Sequence, residues 1–338
     1  MLINDNFYMK LAIDEAWKYQ LITYPNPAVG CVVVKNGEIL AIEAHKEAGM
    51  PHAEVNALKA AYLKKYPNDV LKTKKTSHEI HEYLLKNHDN FFKTCEIYVT
   101  LEPCNHIGKT PACANLLKEL KPKRVIIAHE DTNKEATGGI ETLENANIDI
   151  TLGCMKKEAY DLLYPFIKWS SGTFIFYKMA QTLNGSIDGK VSSKMTQLYV
   201  HTLRDKIDLM LIGGNTVRTD KPTLDARYIA GNPPKIMIYS KNKIFDNNIP
   251  LFKVPNREVI ISDDLFKLLD YKFIMVEGVY NLMDVLKDKI DYIMLLVSPK
   301  IRNGVNALNE IDMDFEIVHE NYIGEEKIVY LKKKTSFE

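Results

Sequence analysis

Three side chains in the N-terminal half of the chain could hold a metal ion. His52 sits in Pro51–His52–Ala53–Glu54, Cys104 in Glu102–Pro103–Cys104, and Cys113 follows after eight intervening residues. One imidazole and two thiolates suit zinc, which takes nitrogen and sulfur ligands tetrahedrally. Three protein ligands leave a fourth position for water, the mark of a catalytic centre rather than a closed structural one. Two thiolates balance the dication, so that water would ionise inside a neutral cage. Glu54 stands two residues from His52, and residues two apart do not share a helix face. At the first turn both can still border one cavity. Glu54 then suits proton transfer, from the water to a leaving amine. The competing reading is two core cysteines and a helix-capping histidine. Cys31, Cys95 and Cys154 read that way, as packed thiols.

The elements around these residues favour the metal. His52 to Leu63 is helical in pattern, so H-A-E opens a helix. Glu96 to Thr100 reads as a strand that delivers Cys104. Ala112 to Leu120 reads as a helix with Pro111 at its entrance. A helix start at Cys113 helps keep its sulfur ionised. Upstream, Met9, Ala12, Ile13, Ala16 and Trp17 recur at helical spacing. Val29 to Val34 and Ile39 to Ala44 predict two strands joined by an Asn36–Gly37 hairpin turn. Val125 to Ala128 and Ile148 to Leu152 predict two more. The order is α-β-β-α-β-α-β with a further helix and strand, an α/β layered domain over 1–153. Residues 64–94 interrupt it. That stretch, rich in Lys, Asn and His and weakly helical around His81 to Lys86, reads as a solvated insertion, with a metal site through His78, His81 and His88 as the weaker option.

Residues 154–172 predict a connecting helix, and a second α/β pattern occupies 173–338. Strands are expected at 173–179, 209–212, 236–239, 259–261, 273–276 and 292–297, with a helix at 198–203. Ile328 to Leu331 is expected to be an edge strand.

At 338 residues the chain exceeds the ~100–200 of a single core. Lys+Arg and Asp+Glu are 44 each. A nucleic-acid-binding domain usually carries a basic excess, so nucleic acid is not an expected partner. The start of the chain lacks a signal-peptide pattern, and no run approaches the ~20 apolar residues of a membrane span, so a cytoplasmic protein with no membrane partner is expected. Five cysteines do not suggest a disulfide scaffold.

Zinc deaminases share H-x-E followed by P-C-x-x-C, with the glutamate outside the ligand set. Here the cysteines stand further apart. With Pro25–Asn26–Pro27–Ala28–Val29–Gly30–Cys31–Val32, with His45-x-x-Ala48–Gly49-x-Pro51–His52–Ala53–Glu54, and with TLEPCNHIGKTPAC from Thr100 to Cys113, the chain resembles the bifunctional riboflavin-biosynthesis deaminase/reductases. Lys178-x-Ala180-x-Thr182–Leu183-x-Gly185, Leu203–Arg204, Gly213-x-x-Thr216, Asp220-x-Pro222-x-Leu224, Arg227, Val276–Glu277–Gly278 and Pro299–Lys300 extend the resemblance over nearly the whole chain.

The resemblance implies a cytidine-deaminase-like three-layer α/β/α domain followed by a dihydrofolate-reductase-like α/β domain. It implies zinc and NADPH as cofactors, a phosphoribosylaminopyrimidine as substrate, and a homo-oligomer. Asn26 and His45 would line the pyrimidine pocket, Lys109 and Thr110 would meet ribose or phosphate, and His106 would contact substrate. An amide can pair with a pyrimidine edge and a cation suits a phosphate. In the second half Arg204, Leu224, Arg227 and Glu277 would hold substrate, and Asp220 would assist proton transfer. Lys178, Ala180, Thr182, Gly185, Gly213, Gly214, Thr216, Asp220 and Gly278 would meet the cofactor. No G-x-G-x-x-G occurs, so a Rossmann reading fails.

The reductase motifs depart from the family pattern. Asn184 stands where Asp is usual and Val279 where a second glycine is usual; in the first half, Thr132 replaces a proline between Asp131 and Asn133. Two alternatives therefore stay open. The second domain could be a non-reducing binding or assembly module, or the chain could be a nucleic-acid deaminase, which the neutral charge and long Cys-to-Cys loop disfavour.

Overall fold

The computed structural model describes residues 3–106, 108, 110–133, 137–278, 280–306 and 312–334. It forms two compact units, Met1–Ile167 and Lys168–Glu338. Both are α/β units, as the chain's pattern predicts.

The first unit contains α1 (Asp5–Trp17), β1 (Gly30–Lys35), β2 (Glu38–Ala44), α2 (Ala53–Lys65), α3 (Ser77–Asn87), β3 (Cys95–Leu101), α4 (Cys113–Leu120), β4 (Arg124–His129), α5 (Gly139–Glu144) and β5 (Asp149–Leu152). Helix α6 (Lys156–Ser171) follows and runs across the division between the units. The strands form one sheet in the order β2-β1-β3-β4-β5. The two pairs involving β1 are antiparallel, and β3, β4 and β5 run parallel. The β1–β2 turn has φ 50° at Asn36 and 82° at Gly37, the two positive values a tight hairpin needs. Alternate residues Cys31, Val33, Ile97, Val99, Val125 and Ile127 share a core with Leu58 of α2 and Leu117 of α4. Helix α1 packs on β1, β2 and β3. The three-layer arrangement thus follows from strands that are apolar on both faces.

Residues 64–94 correct the expectation of a solvated insertion. Thr76 and Glu79 form a reciprocal capping box that starts α3. One face of α3 is buried through Ile80, His81 and Leu84, and Phe91 and Phe92 join the same core. Apolar residues spaced one helical turn apart outweigh the polar composition. The option of metal through His78, His81 and His88 also fails, since these side chains form no ligand group among the described residues.

The second unit contains β6 (Phe174–Thr182), α7 (Lys194–Lys206), β7 (Leu209–Gly213), α8 (Gly214–Asp220), β8 (Lys235–Tyr239), β9 (Val259–Ser262), β10 (Phe273–Glu277), α9 (Tyr280–Leu286), β11 (Tyr292–Ser298), β12 (Phe315–Ile323) and β13 (Glu326–Lys333). Its sheet order is β12-β13-β11-β6-β10-β7-β8-β9. β13 is antiparallel to β11 and to β12, and the other pairs are parallel. The 328–331 segment is therefore not an edge. β12 lies outside it and takes that place, with Ile317 and Tyr322 exposed. Its sequence, FEIVHENYI, is too polar to announce a strand, and pairing with β13 decides it. Among the described residues no helix is long and apolar enough to cross a membrane.

Candidate functional site

His52 is the N-cap of α2, in extended backbone, and its side chain makes no capping bond. Its Nδ1 lies 3.6 Å from Cys104 Sγ and 3.5 Å from Cys113 Sγ. Cys113 is the first residue of α4. Its N–H donates to Cys104 Sγ at 3.4 Å, and the N–H of Ala114 donates to the Cys104 carbonyl at 3.1 Å. The helix start thus fastens the end of β3 and brings both sulfurs to one nitrogen.

The donor set fits zinc. Tetrahedral nitrogen and sulfur ligands at ~2.0–2.3 Å stand ~3.5–3.8 Å apart. The three ligand atoms here lie within 4.8 Å of one another, and no other such group occurs among the described residues. The Cys104 thiol is held well below its ordinary range, first by its hydrogen bond with Cys113 and then by His52. The Cys113 thiol is raised in turn, because two sulfurs this close share one proton. Thr110 Oγ1 lies 3.3 Å from His52 Nε2, the ring nitrogen that faces away from the sulfurs. Such a contact fixes the orientation of a ligand imidazole.

A cavity of about 390 Å³ opens beside these residues. Glu54 lines it from the first turn of α2 and is only 4% exposed. Burial pushes its carboxyl up to about 7, where it can both take and give a proton near neutrality. Asn26, His45, His106 and Thr110 line the same cavity. Lys109 lies outside the described residues. Asp131, Asn133 and Phe166 also line it. The sequence names the first two only as remnants of a motif and gives no signal for Phe166, which arrives on α6.

Glu102 of the E-P-C run lies just beyond β3 and organises the neighbouring loop. Its carboxylate accepts the N–H groups of Asp131, Gly138 and Ile140 at 3.2, 3.0 and 3.1 Å. Gly139 completes the contact, since a Cβ there would sit 1.9 Å from the Pro103 carbonyl oxygen. These bonds hold Asp131 and Asn133 at the cavity.

His45 is buried at 3% exposure, and burial lowers its imidazole to about 4, so the ring is neutral at physiological pH. Its Nδ1 lies 3.1 Å from the Pro51 carbonyl and its Nε2 3.0 Å from Asn26 Nδ2. The carbonyl can only accept, which puts the proton on Nδ1 and makes Nε2 an acceptor. The Asn26 amide therefore donates to it.

The second unit gathers its predicted residues at the carboxyl ends of parallel strands, where ligands of open α/β sheets bind. Lys178 on β6 and Glu277 on β10 are register partners, with Nζ 3.6 Å from Oε1. Arg204 of α7 donates to both Glu277 oxygens at 3.2 and 3.3 Å. Burial alone would raise the Glu277 carboxyl, but Lys178 and Arg204 together hold it below its ordinary value. Gly213 ends β7 beside them, and Gly278 follows β10.

The remaining predicted residues are less tightly gathered. Ala180 and Thr182 lie on β6, and Thr182 with Gly185 closes the turn after it, through the Gly185 N–H to the Thr182 carbonyl at 3.0 Å. Asn184 grips both backbone groups of Arg302: its Nδ2 donates to the carbonyl at 2.8 Å and its Oδ1 accepts the N–H at 3.1 Å. A carboxylate could make only the second bond. A Cβ on Gly214 would lie 2.6 Å from Ser240 Oγ, so close packing already requires that glycine. At Gly213 a Cβ would meet only ordinary contacts, from Thr216 and Leu282. Thr216 lies within α8 and Asp220 ends it, exposed. Leu224 is buried, and Arg227 is half-exposed and paired with Asp225 at 2.8 Å. Val279 lies outside the described residues.

Residues 2–129 match the cytidine and deoxycytidylate deaminase zinc-binding region, and 173–302 match the RibD C-terminal domain. The riboflavin biosynthesis protein RibD of Aquifex aeolicus is 32% identical over 319 residues, covering 91% of this chain and 78% of that one. The RibD of Bacillus amyloliquefaciens is 33% identical over 232 residues, covering 66% and 55%. A crystal structure of the Thermotoga maritima diaminohydroxyphosphoribosylaminopyrimidine deaminase/5-amino-6-(5-phosphoribosylamino)uracil reductase is 26% identical with a TM-score of 0.65, covering 98% of this chain and 99% of that one. The zinc-type ligand cluster beside a buried glutamate, the second α/β unit and these likenesses agree: the chain belongs to the riboflavin biosynthesis RibD family.

Proposed function

We propose that this chain carries out two successive reactions of riboflavin biosynthesis. The first is hydrolytic deamination of 2,5-diamino-6-(5-phosphoribosylamino)pyrimidin-4(3H)-one to 5-amino-6-(5-phosphoribosylamino)uracil. The second is NADPH-dependent reduction of the ribosyl group to ribityl. The observation that carries the reading is one cavity lined by His52, Cys104, Glu54 and Asn26, with Cys113 completing the ligand group at its wall.

In the first unit His52, Cys104 and Cys113 would hold zinc, which when bound supplies an ionised water as nucleophile. Glu54 moves protons at its carboxyl, taking one as the nucleophile forms and giving one to the departing ammonia. Asn26 offers its remaining amide groups to the pyrimidine edge, and Thr110 steadies the His52 ring. Lys109 and Thr110 would meet the substrate's ribose or phosphate, and His106 would contact the substrate.

In the second unit NADPH supplies the hydride. Lys178, Ala180, Thr182, Gly185, Gly213, Gly214, Thr216 and Gly278 would border it. Arg227 and Arg204 meet the substrate phosphate, Leu224 borders the substrate, Glu277 accepts from its hydroxyls, and Asp220 donates a proton to the opened sugar. The non-reducing alternative for this unit is not favoured, because residues 173–302 match the RibD C-terminal domain. The same reading expects a cytoplasmic homo-oligomer that binds no nucleic acid.

A coupled assay tests the proposal. The diamino substrate should release ammonia without any nucleotide, and the product should then consume NADPH, with both masses identified. Zinc-loaded protein that releases no ammonia would sink the first step. Absence of NADPH loss on the deaminated substrate would sink the second.

A further inference from the structure

We propose that Arg257 is a positioning residue of the second unit, holding the turn at Leu224 in a left-handed conformation that sets Asp225 and Arg227 in place. The inference rests on the reading that the 220–227 segment meets the substrate.

Leu224 has φ 56° and is 6% exposed. A branched L-residue adopts that backbone at a cost, and it persists only where its surroundings over-determine it. Here two guanidinium groups do so. Arg257 Nη1 donates to the Leu224 carbonyl at 2.8 Å, and its Nη2 donates to the carbonyl of Leu251. Arg204 Nη1 donates to the next carbonyl, that of Asp225, at 3.4 Å. The other end of Arg204 holds the Glu277 carboxylate. Successive carbonyls of one turn are therefore fixed from two sides.

Arg257 has little other purpose in view. Among the described residues no carboxylate lies within ion-pair distance of it, and its Nε is buried without a partner. The attraction of Asp225 reaches this part-buried guanidinium, but burial outweighs it, so holding the cation there is costly. A planar fork spanning two backbone carbonyls is a task a lysine cannot reproduce. Beyond the turn, Asp225 Oδ1 accepts from Arg227 Nη1 at 2.8 Å, and the Arg227 side chain is 52% exposed. Release of the clamp lets Leu224 relax to negative φ, which redirects the carbonyls on either side and moves Arg227.

Arg257→Met and Arg257→Lys in the full chain test this. Misplacing a binding group by ~1 Å can cost on the order of a hundredfold, so R257M should raise the KM for the deaminated substrate about tenfold or more. kcat and the KM for NADPH should stay within about twofold, as expected for loss of binding to one reactant. Ammonia release from the first unit is the internal control. R257K should recover the KM only in part. An unchanged KM, a joint fall of kcat and melting temperature, or full recovery by lysine each overturns the proposal. If the parent chain reduces nothing, the reading of the second unit has failed instead. A crystal structure of R257M then decides the clamp by itself: positive φ retained at Leu224 overturns it.

Discussion

The side-chain amide of Asn26 donates to Nε2 of His45 at 3.0 Å, and the other nitrogen of that imidazole is committed to the Pro51 carbonyl at 3.1 Å. One backbone oxygen thereby sets a tautomer, and the tautomer sets the flip of an amide at the cavity wall. Asn26→Asp replaces the donor with an acceptor facing an acceptor. Leaving such a part-buried pair unmatched costs about 1–3 kcal/mol, so kcat/KM for ammonia release should fall roughly 10- to 100-fold. Steady-state kinetics on the diamino substrate read this, and an unchanged kcat/KM would remove Asn26 from the site.

Glu54→Gln keeps the shape of the carboxyl and loses its proton chemistry. Ammonia release should fall by roughly 10²–10⁴, while zinc measured by metal analysis stays at the parent level. Loss of zinc in this variant would make Glu54 a ligand rather than a proton carrier.

Cys113→Ser removes one of two sulfurs that face His52 Nδ1. Zinc should drop well below one per chain and ammonia release should vanish. NADPH oxidation with the deaminated substrate should persist, because the residues proposed for the reduction lie wholly in the second unit. Loss of both activities together would show that the first unit's metal also supports the second.

His81 gives the stability of the first unit a pH dependence. Burial lowers its imidazole to about 4 from an ordinary 6.5. The unfolded chain therefore takes the proton first as pH falls. Stability is full above about 6.5 and is lost progressively down to about 4, by at most about 3 kcal/mol. His81→Leu should flatten that part of the profile relative to the parent. Urea midpoints at pH 7.5 and 5 compare the two, and parallel losses would assign the dependence to other groups.

Motif and periodicity carry some features of this protein and miss others. The Asn36–Gly37 turn is legible because its backbone angles demand those residue types locally. The ligands His52, Cys104 and Cys113 are legible because metal chemistry restricts the donors and element ends deliver them. The helix α3 is faintly legible, as the weak helical pattern around His81 to Lys86, but its burial is not, because the polar composition of 64–94 hides the inward face of Ile80, His81 and Leu84. β12 is hidden for the opposite reason, since its pairing with β13 overrides a polar sequence.

The order of residues alone therefore determines two α/β units, the donor set for zinc, the acid–base role open to Glu54 and the strand ends that meet in the second unit. Only the folded chain decides how those groups are aimed. Glu102 proves to be the hub of three backbone N–H groups, His45 proves to orient Asn26, and Arg204 and Arg257 prove to hold a turn. Each depends on a partner brought close by packing rather than by chain neighbourhood. A residue's type limits which bonds it can make, and the surrounding fold selects among them.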